Sequence, residues 1–267
     1  MDLGLADAKV CVQGGTRGMG RAVAEAFAAE GARVAVLSRG QEDMAETVAG
    51  LLRQGAREAF GLTVDLHDHR SVEASFARLA GRWGDLNTLV NMAGPVVDHT
   101  PFWDIPDEKW LEDYSVGALG SVRCVRYALP LLRSAPWARI VNASAMSSRS
   151  QSAGLASYIA AKAATNSISK NMSLELAAEG ILVNTVSPGS FATNKNKLAK
   201  LEAEGIDTTD LAAMKNQLTK RIGLRVDLGR LGKASEVAAV ICFAGSRLNS
   251  YMTGANINVD GGTAFYV

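Results

Sequence analysis

The chain has 267 residues, of which 48% are hydrophobic and 21% charged, and its 28 Lys+Arg against 27 Asp+Glu leave a formal net charge of +1. A globular chain of this length buries most of its apolar surface without disulfide or metal staples. Its near-neutral charge argues against a nucleic-acid partner, and no run approaches the ~18 unbroken apolar residues of a membrane span. Asp2 and Asp7 interrupt the N-terminus, which has no basic-then-apolar leader, so a cytoplasmic location is expected. Cys11, Cys124 and Cys242 are too few and too scattered for a disulfide framework or a zinc knuckle. His67, His69 and His99 have no paired helical spacing that would make a metal site. The one unusual count is 26 glycines.

In chain order, short apolar runs predict buried strands at Lys9–Gln13, Arg33–Ser38, Ala59–Val64, Leu86–Asn91, Arg139–Ser144, Ile181–Ser187 and Asn256–Asp260. Continuous rather than alternating apolarity fits strands covered on both faces. Helix-period segments separate them at Gly18–Glu30, Gln41–Gln54, Arg70–Trp83, Asp107–Arg133, Ala156–Gly180 and Ser235–Ser246. Strand–helix alternation predicts an α/β fold: one doubly wound domain over 1–267, with a seven-stranded parallel sheet and helices on both faces. Thr193–Lys233 breaks the rhythm as a long insertion with two helix-like pieces around Ile206–Asp210. It carries nine basic and five acidic residues, a local charge of 9 − 5 = +4. It reads either as a solvated helical hairpin or as a lid over an anionic substrate such as a coenzyme A ester.

Gly14, Gly15, Gly18 and Gly20 fall directly after the first strand and open the first helix. Glycine there lets the backbone turn tightly and approach a pyrophosphate, whose charge the helix N-terminus meets. Further motifs follow in register. After Gln13–Gly20 (QGGTRGMG) come Asn91–Gly94 (NMAG), Tyr158–Lys162 (YIAAK), Ser187–Thr193 (SPGSFAT) and Val259–Gly262 (VDGG). In these motifs the chain resembles a short-chain dehydrogenase/reductase of the single-domain Rossmann branch, over almost all of its length.

The resemblance implies a nicotinamide cofactor held by Gly14, Thr16, Arg17, Gly18, Met19 and Gly20 in the first turn. It adds Asn91, Ala93 and Gly94 after the fourth strand, and Pro188, Gly189, Phe191 and Thr193 after the sixth. Asp65 and Leu66 resemble the family's adenine-contacting pair. Where the second strand ends, an acidic residue would accept from a free ribose 2′-hydroxyl. This chain has Ser38 and Arg39 there, with Arg17 in the glycine turn. Guanidinium groups bind phosphate in a forked geometry, which predicts NADP(H) over NAD(H).

Tyr158 and Lys162 stand four apart and project from one helix face, a spacing suited to a phenol acting as general acid beside an ammonium. The family implies hydride delivery to a carbonyl carbon, the proton coming from Tyr158, with Lys162 also holding the nicotinamide ribose. Two usual partners are replaced. The family serine, thirteen residues before the tyrosine, falls on Ala145, and the asparagine of the long central helix falls on Gly117. Loss of one preorganised donor commonly costs ~2.7–4 kcal/mol in the transition state, and Gly117 weakens its helix by roughly 1 kcal/mol relative to alanine.

Three explanations stand open. Ser147 supplies the hydroxyl, since side chains two apart on an extended strand end share a face; Ser144 would point the other way. Alternatively, the site reduces or isomerises an enone or enoyl thioester. In the third reading, the fold persists as a non-catalytic nucleotide-binding homologue. The substrate pocket is expected from Pro95–Pro106, the residues after Ala145 and the 193–233 lid. Val96, Val97, Phe102, Trp103, Leu155, Phe191 and the tail Phe265–Val267 suggest a hydrophobic small molecule. The resemblance implies a homotetramer (or homodimer) through the two long helices and the last strand. Small residues at Gly120, Ala128, Ala160, Ala161 and Ala164 would permit close helix approach, but they also suit plain packing within the chain.

Overall fold

The structure is a computed structural model that describes residues 1–264 except Asp98, Ser152 and Asn194; the side chains of Glu42, Lys195, Asn196 and Lys197 are likewise left aside. The apolar tail Phe265–Val267 lies outside the described residues. The strands are β1 Lys9–Gln13, β2 Arg33–Ser38, β3 Glu58–Thr63, β4 Thr88–Asn91, β5 Ala138–Ala143, β6 Ile181–Pro188 and β7 Asn256–Val259. They form one seven-stranded sheet in the order β3-β2-β1-β4-β5-β6-β7, parallel throughout. The helices between them are α1 Gly18–Ala29, α2 Glu42–Arg53, α3 His69–Trp83, α4 Asp107–Tyr114, α5 Gly120–Ser134, α6 Ala156–Leu176, α7 Lys195–Ala203, α8 Leu211–Ile222 and α9 Ala234–Ala244.

Each sheet face has its own core. On one, Val10, Val12, Val34 and Val36 pack against Val23, Phe27 and Ile241 of α1 and α9. On the other, Cys11, Ala35 and Leu89 meet Phe76, Leu79, Cys124 and Leu132 of α3 and α5. Successive strand residues point to opposite faces, so a strand that feeds both layers must be apolar at every position. β1 follows this at its centre, where Val10, Cys11 and Val12 are fully buried. The topological switch lies between β1 and β4, and the carboxyl ends of these strands flank the crevice where such sheets take ligands.

The expected single helix Asp107–Arg133 runs continuously but changes its hydrogen-bond ladder part-way. Between α4 and α5 lies one π-helical turn, Ser115–Leu119, with Gly117 at its centre. Such a turn widens the ladder to i→i+5 and commonly marks a functional site. A buried polar line crosses the sheet close by. Asn91 of β4 donates to Asn142 of β5 at 2.8 Å, and Asn142 donates to Ser169 of α6 at 2.9 Å.

Two expectations about helix surfaces change. Ala128 and Ala161 are buried within the chain, and Gly120 packs against Leu66, so these three serve internal packing. In the 193–233 insertion, Arg221 pairs with Glu204 and Arg225 with Asp227. Arg230 pairs with Glu236 of α9 at 2.6 Å. Glu204 and Asp227 are already counted in the local +4, so only Glu236, outside the insertion, offsets it, to 4 − 1 = +3.

Candidate functional site

A groove of about 800 Å³ opens over the carboxyl ends of the central strands. Of the residues expected at a cofactor site, it gathers Gly14, Thr16, Arg17, Ser38 and Arg39, and further along Asp65, Leu66, Ala93 and Gly94. The remaining expected residues, Tyr158 and Lys162 among them, are not part of its lining. Gly14 adopts φ +79° and packs against the Ala93 backbone, with 2.8 Å from a built Cβ to the Ala93 nitrogen. A side chain on Gly20 would run into the Gly14 carbonyl. Met19 packs into the core beneath, and Thr193 lies against Gly18, 3.6 Å from where a Cβ would sit. Asn91 turns its amide to Asn142, which leaves Asn91 Oδ1 buried without a partner.

The end of β6 is placed less directly. Pro188 pairs with Val259 of β7, and Gly189 donates to the Val259 carbonyl at 2.9 Å. Phe191 does not line the groove. Its backbone forms an isolated parallel bridge with Gly232, which brings its ring over that glycine and into a separate cavity of about 100 Å³.

The helix end facing the groove suits an anion. Arg17 stands at the N-cap of α1 without a side-chain cap, and no acidic residue occupies the first turn. The first amides of that helix are therefore free for a ligand, and the helix dipole favours negative charge there. Arg17 is exposed and paired with Asp43, while Thr16 Oγ1 donates to Ser38 Oγ at 3.0 Å.

At the other end, Lys162 is buried (3% exposed) and donates from Nζ to the Ala143 carbonyl at the end of β5, at 2.7 Å. Burial pulls its ammonium down to about 8. Its Nζ lies 2.6 Å from where a Cβ on Gly94 would be, so a side chain there would push the lysine end aside. Burial also pushes the Tyr158 phenol up to about 12. No hydrogen bond joins Tyr158 to Lys162 among the described residues; the ammonium is spent on the strand carbonyl.

The two replaced positions are filled by packing. A Cβ on Gly117 would stand 2.9 Å from Pro95 Cδ and 3.0 Å from the Ala161 Cβ, so no asparagine fits there without moving the Pro95 loop. The Gly117 carbonyl accepts from Thr165 Oγ1 at 2.8 Å. Ala145 is buried and extended, at φ −153° and ψ 147°. Directly after it the chain enters a one-turn 3-10 helix, Met146–Ser148. The extended geometry that would put Ser147 on the same face as Ala145 therefore ends one residue too early. Ser144 does turn away, donating to the Lys162 carbonyl at 3.0 Å.

The groove also holds side chains that the motifs did not single out. Gln13 accepts from the Ala93 amide at 3.1 Å. Lys109, Glu112, Asp113 and Val116 form a wall contributed by α4 and the π turn. The i,i+4 spacing of Lys109 and Asp113 on the expected helix was the available signal. Pro95, Val96 and Val97 line the groove as expected. Phe102 and Trp103 stand exposed on a one-turn helix, stacked edge-on with ring centroids 4.9 Å apart.

The chain matches the family model described as enoyl-(acyl carrier protein) reductase over residues 14–264. It belongs to the short-chain dehydrogenase/reductase family. An uncharacterised oxidoreductase of Bacillus subtilis is 33% identical over 257 residues, 96% of this chain and 90% of that one. A 3-oxoacyl-(acyl-carrier-protein) reductase of Staphylococcus aureus is 29% identical, with 94% and 96% of the two chains covered. The crystal structure of L-sorbose reductase from Gluconobacter frateurii, complexed with NADPH and L-sorbose, matches with TM-score 0.91 at 25% identity over 100% of both chains. These family members act as reductases or oxidoreductases. Among the described residues no cluster of metal-ligating side chains occurs and no helix is long and apolar enough to cross a membrane.

Two predictions follow from the geometry. Lys162 ordinarily titrates at 10.5 and in the fold near 8. Between those values the unfolded chain binds more protons, so the stability contribution of Lys162 rises with pH through that window. The wild-type melting temperature should therefore climb relative to Lys162→Met from pH 8 to pH 10; parallel curves would refute a buried, depressed ammonium. Gly117→Ala gains roughly 1 kcal/mol of helix propensity but overpacks Pro95 and Ala161 at a cost of about 1–3 kcal/mol. A net loss is expected in urea unfolding; a stabilised variant would show that the Pro95 loop yields.

Proposed function

We propose that this chain binds NADP(H) in the groove and reduces the carbonyl of a hydrophobic small molecule, or oxidises the corresponding alcohol, with Tyr158 as proton donor. The observation that carries this reading is the pairing of an uncapped α1 N-terminus with a phenol that keeps its proton up to about pH 12 beside a buried lysine. Gly14, Thr16, Gly18, Met19 and Gly20 shape the pyrophosphate turn. Arg17, Ser38 and Arg39 face the ribose, Asp65 and Leu66 the adenine, and Asn91, Ala93, Gly94, Pro188, Gly189 and Thr193 the rest of the cofactor.

The residues present fit this group. The glycine turn is closed to side chains, and the cations at its rim suit a 2′-phosphate. When bound, NADPH supplies the hydride. Everything else is the work of the chain: the phenol, held protonated by burial, gives its proton to the developing alkoxide oxygen. Lys162, fixed on the Ala143 carbonyl, places positive charge beside the site. Val96 and Val97 give the groove an apolar wall for the substrate. The 193–233 segment acts as its lid, and the 267 residues act as one domain, assembled as in the family into a homotetramer.

A second reading has a specific observation in its favour. With Pro95 and Ala161 filling the space at Gly117, and alanine at 145, neither position offers a donor to a reacting oxygen. Reduction of an enone or enoyl thioester, in which the proton is delivered to carbon, tolerates that loss better. Ser147 remains the candidate hydroxyl for the carbonyl reading.

NADPH oxidation over carbonyl and enoyl panels separates the two. Tyr158→Phe should slow carbonyl turnover by about 10²–10⁴-fold; unaffected turnover would remove the proton-donor role. Arg39→Ala should weaken NADPH by roughly tenfold or more while leaving NADH nearly unchanged, as expected for loss of one charge-assisted contact. Tighter binding of NADH than NADPH by the wild type would overturn the cofactor assignment.

A further inference from the structure

The α4 wall of the groove carries a buried charge. Asp113, 2% exposed, accepts from Ser157 Oγ at 2.6 Å through one carboxylate oxygen and pairs with Lys109 through the other. Ser157 is itself buried and directly precedes Tyr158. Lys109 and Asp113 both line the groove.

Helix stability does not account for this arrangement. Lys109 lies N-terminal to Asp113, the less favourable order for an i,i+4 pair and for the helix dipole. A buried ion pair is also commonly no better than apolar residues of similar size. What it does instead follows from the far end of the contact. Tyr158 stands in the first turn of α6, whose N-cap, Leu155, makes no side-chain cap bond. An uncapped first turn leaves its leading amides without side-chain partners and frays readily. The Ser157–Asp113 bond ties this turn to α4, and Lys109 pairs with the other oxygen of the same carboxylate.

We propose that the Lys109–Asp113–Ser157 chain positions Tyr158, fixing the start of α6 at a site where the family's serine and asparagine are absent. This rests on the reading of Tyr158 as proton donor. Asp113 and Ser157 are positioning residues: they act through the helix turn that carries the phenol. A misplacement of the order of 1 Å at such a group costs up to about 10²-fold in rate.

The test compares Ser157→Ala, Asp113→Leu and the conservative Asp113→Asn, which keeps an acceptor for Ser157, with wild type and Tyr158→Phe. NADPH oxidation on the best carbonyl substrate gives kcat and KM, NADPH fluorescence gives Kd, and hydrogen exchange reports the amides of residues 157–160. Ser157→Ala and Asp113→Leu should lower kcat by about tenfold or more with NADPH Kd within about twofold of wild type. Exchange should accelerate in the first turn of α6 alone, and Asp113→Asn should recover most of kcat. Unchanged kcat with unchanged exchange overturns the proposal. A parallel fall of kcat, NADPH affinity and melting temperature overturns it too, because it marks a general structural role. If wild type turns over no carbonyl, the proton-donor reading fails separately. The exchange measurement then decides alone whether the tie fixes this turn.

Discussion

A single ammonium, that of Lys162, sets much of what surrounds the site. Taking a charge out of water costs several kcal/mol unless other groups replace its hydration, and here one strand carbonyl, Ala143 O, does so at 2.7 Å. For this the last residue of β5 must present its carbonyl to α6, and α6 must cross at the carboxyl end of the sheet. The loop after β4 comes close without a side chain, and a Cβ on Gly94 would lie 2.6 Å from Nζ and displace it. The Asn91–Gly94 and Tyr158–Lys162 motifs are thus two sides of one contact.

The α4–α6 interface shows how the departures from the family are absorbed. Three contacts follow one another along it: Asp113 with Ser157, Gly117 with Ala161, and the Gly117 carbonyl with Thr165. Removing the side chain at 117 left no void. The Pro95 ring and the Ala161 methyl occupy the space, consistent with interiors packed as densely as crystals. The π turn centred on Gly117 lets the chain step from α4 to α5 without a break in its helical course.

How much of this was readable in advance depended on the range of the interaction. Strand positions came within about two residues because burial on both faces imposes continuous apolarity, as in Arg33–Ser38, where expected and observed bounds coincide. The glycine turn and the Tyr158–Lys162 pair were legible because local spacing encodes them. The change of ladder within Asp107–Arg133 was not, since an i→i+5 turn keeps the helical pattern on both sides and only the register changes. The backbone at Ser147 was not legible for a related reason: whether the chain stays extended past Ala145 is decided by the 3-10 turn at Met146, which no residue pattern announces. Phe191 and the lid charges depend on long-range partners, Gly232 and Glu236 among them. Spacing says nothing of such pairs.

The same dryness acts on Tyr158 and Lys162 in opposite directions. Burial disfavours whichever form is charged, so it raises the phenol to about 12 and lowers the ammonium to about 8. At neutral pH Tyr158 therefore holds its proton, and Lys162 stays largely charged. Ionising the phenol would need compensating positive charge close to its oxygen. Among the described residues no hydrogen bond joins it to Lys162, whose Nζ donates to the Ala143 carbonyl.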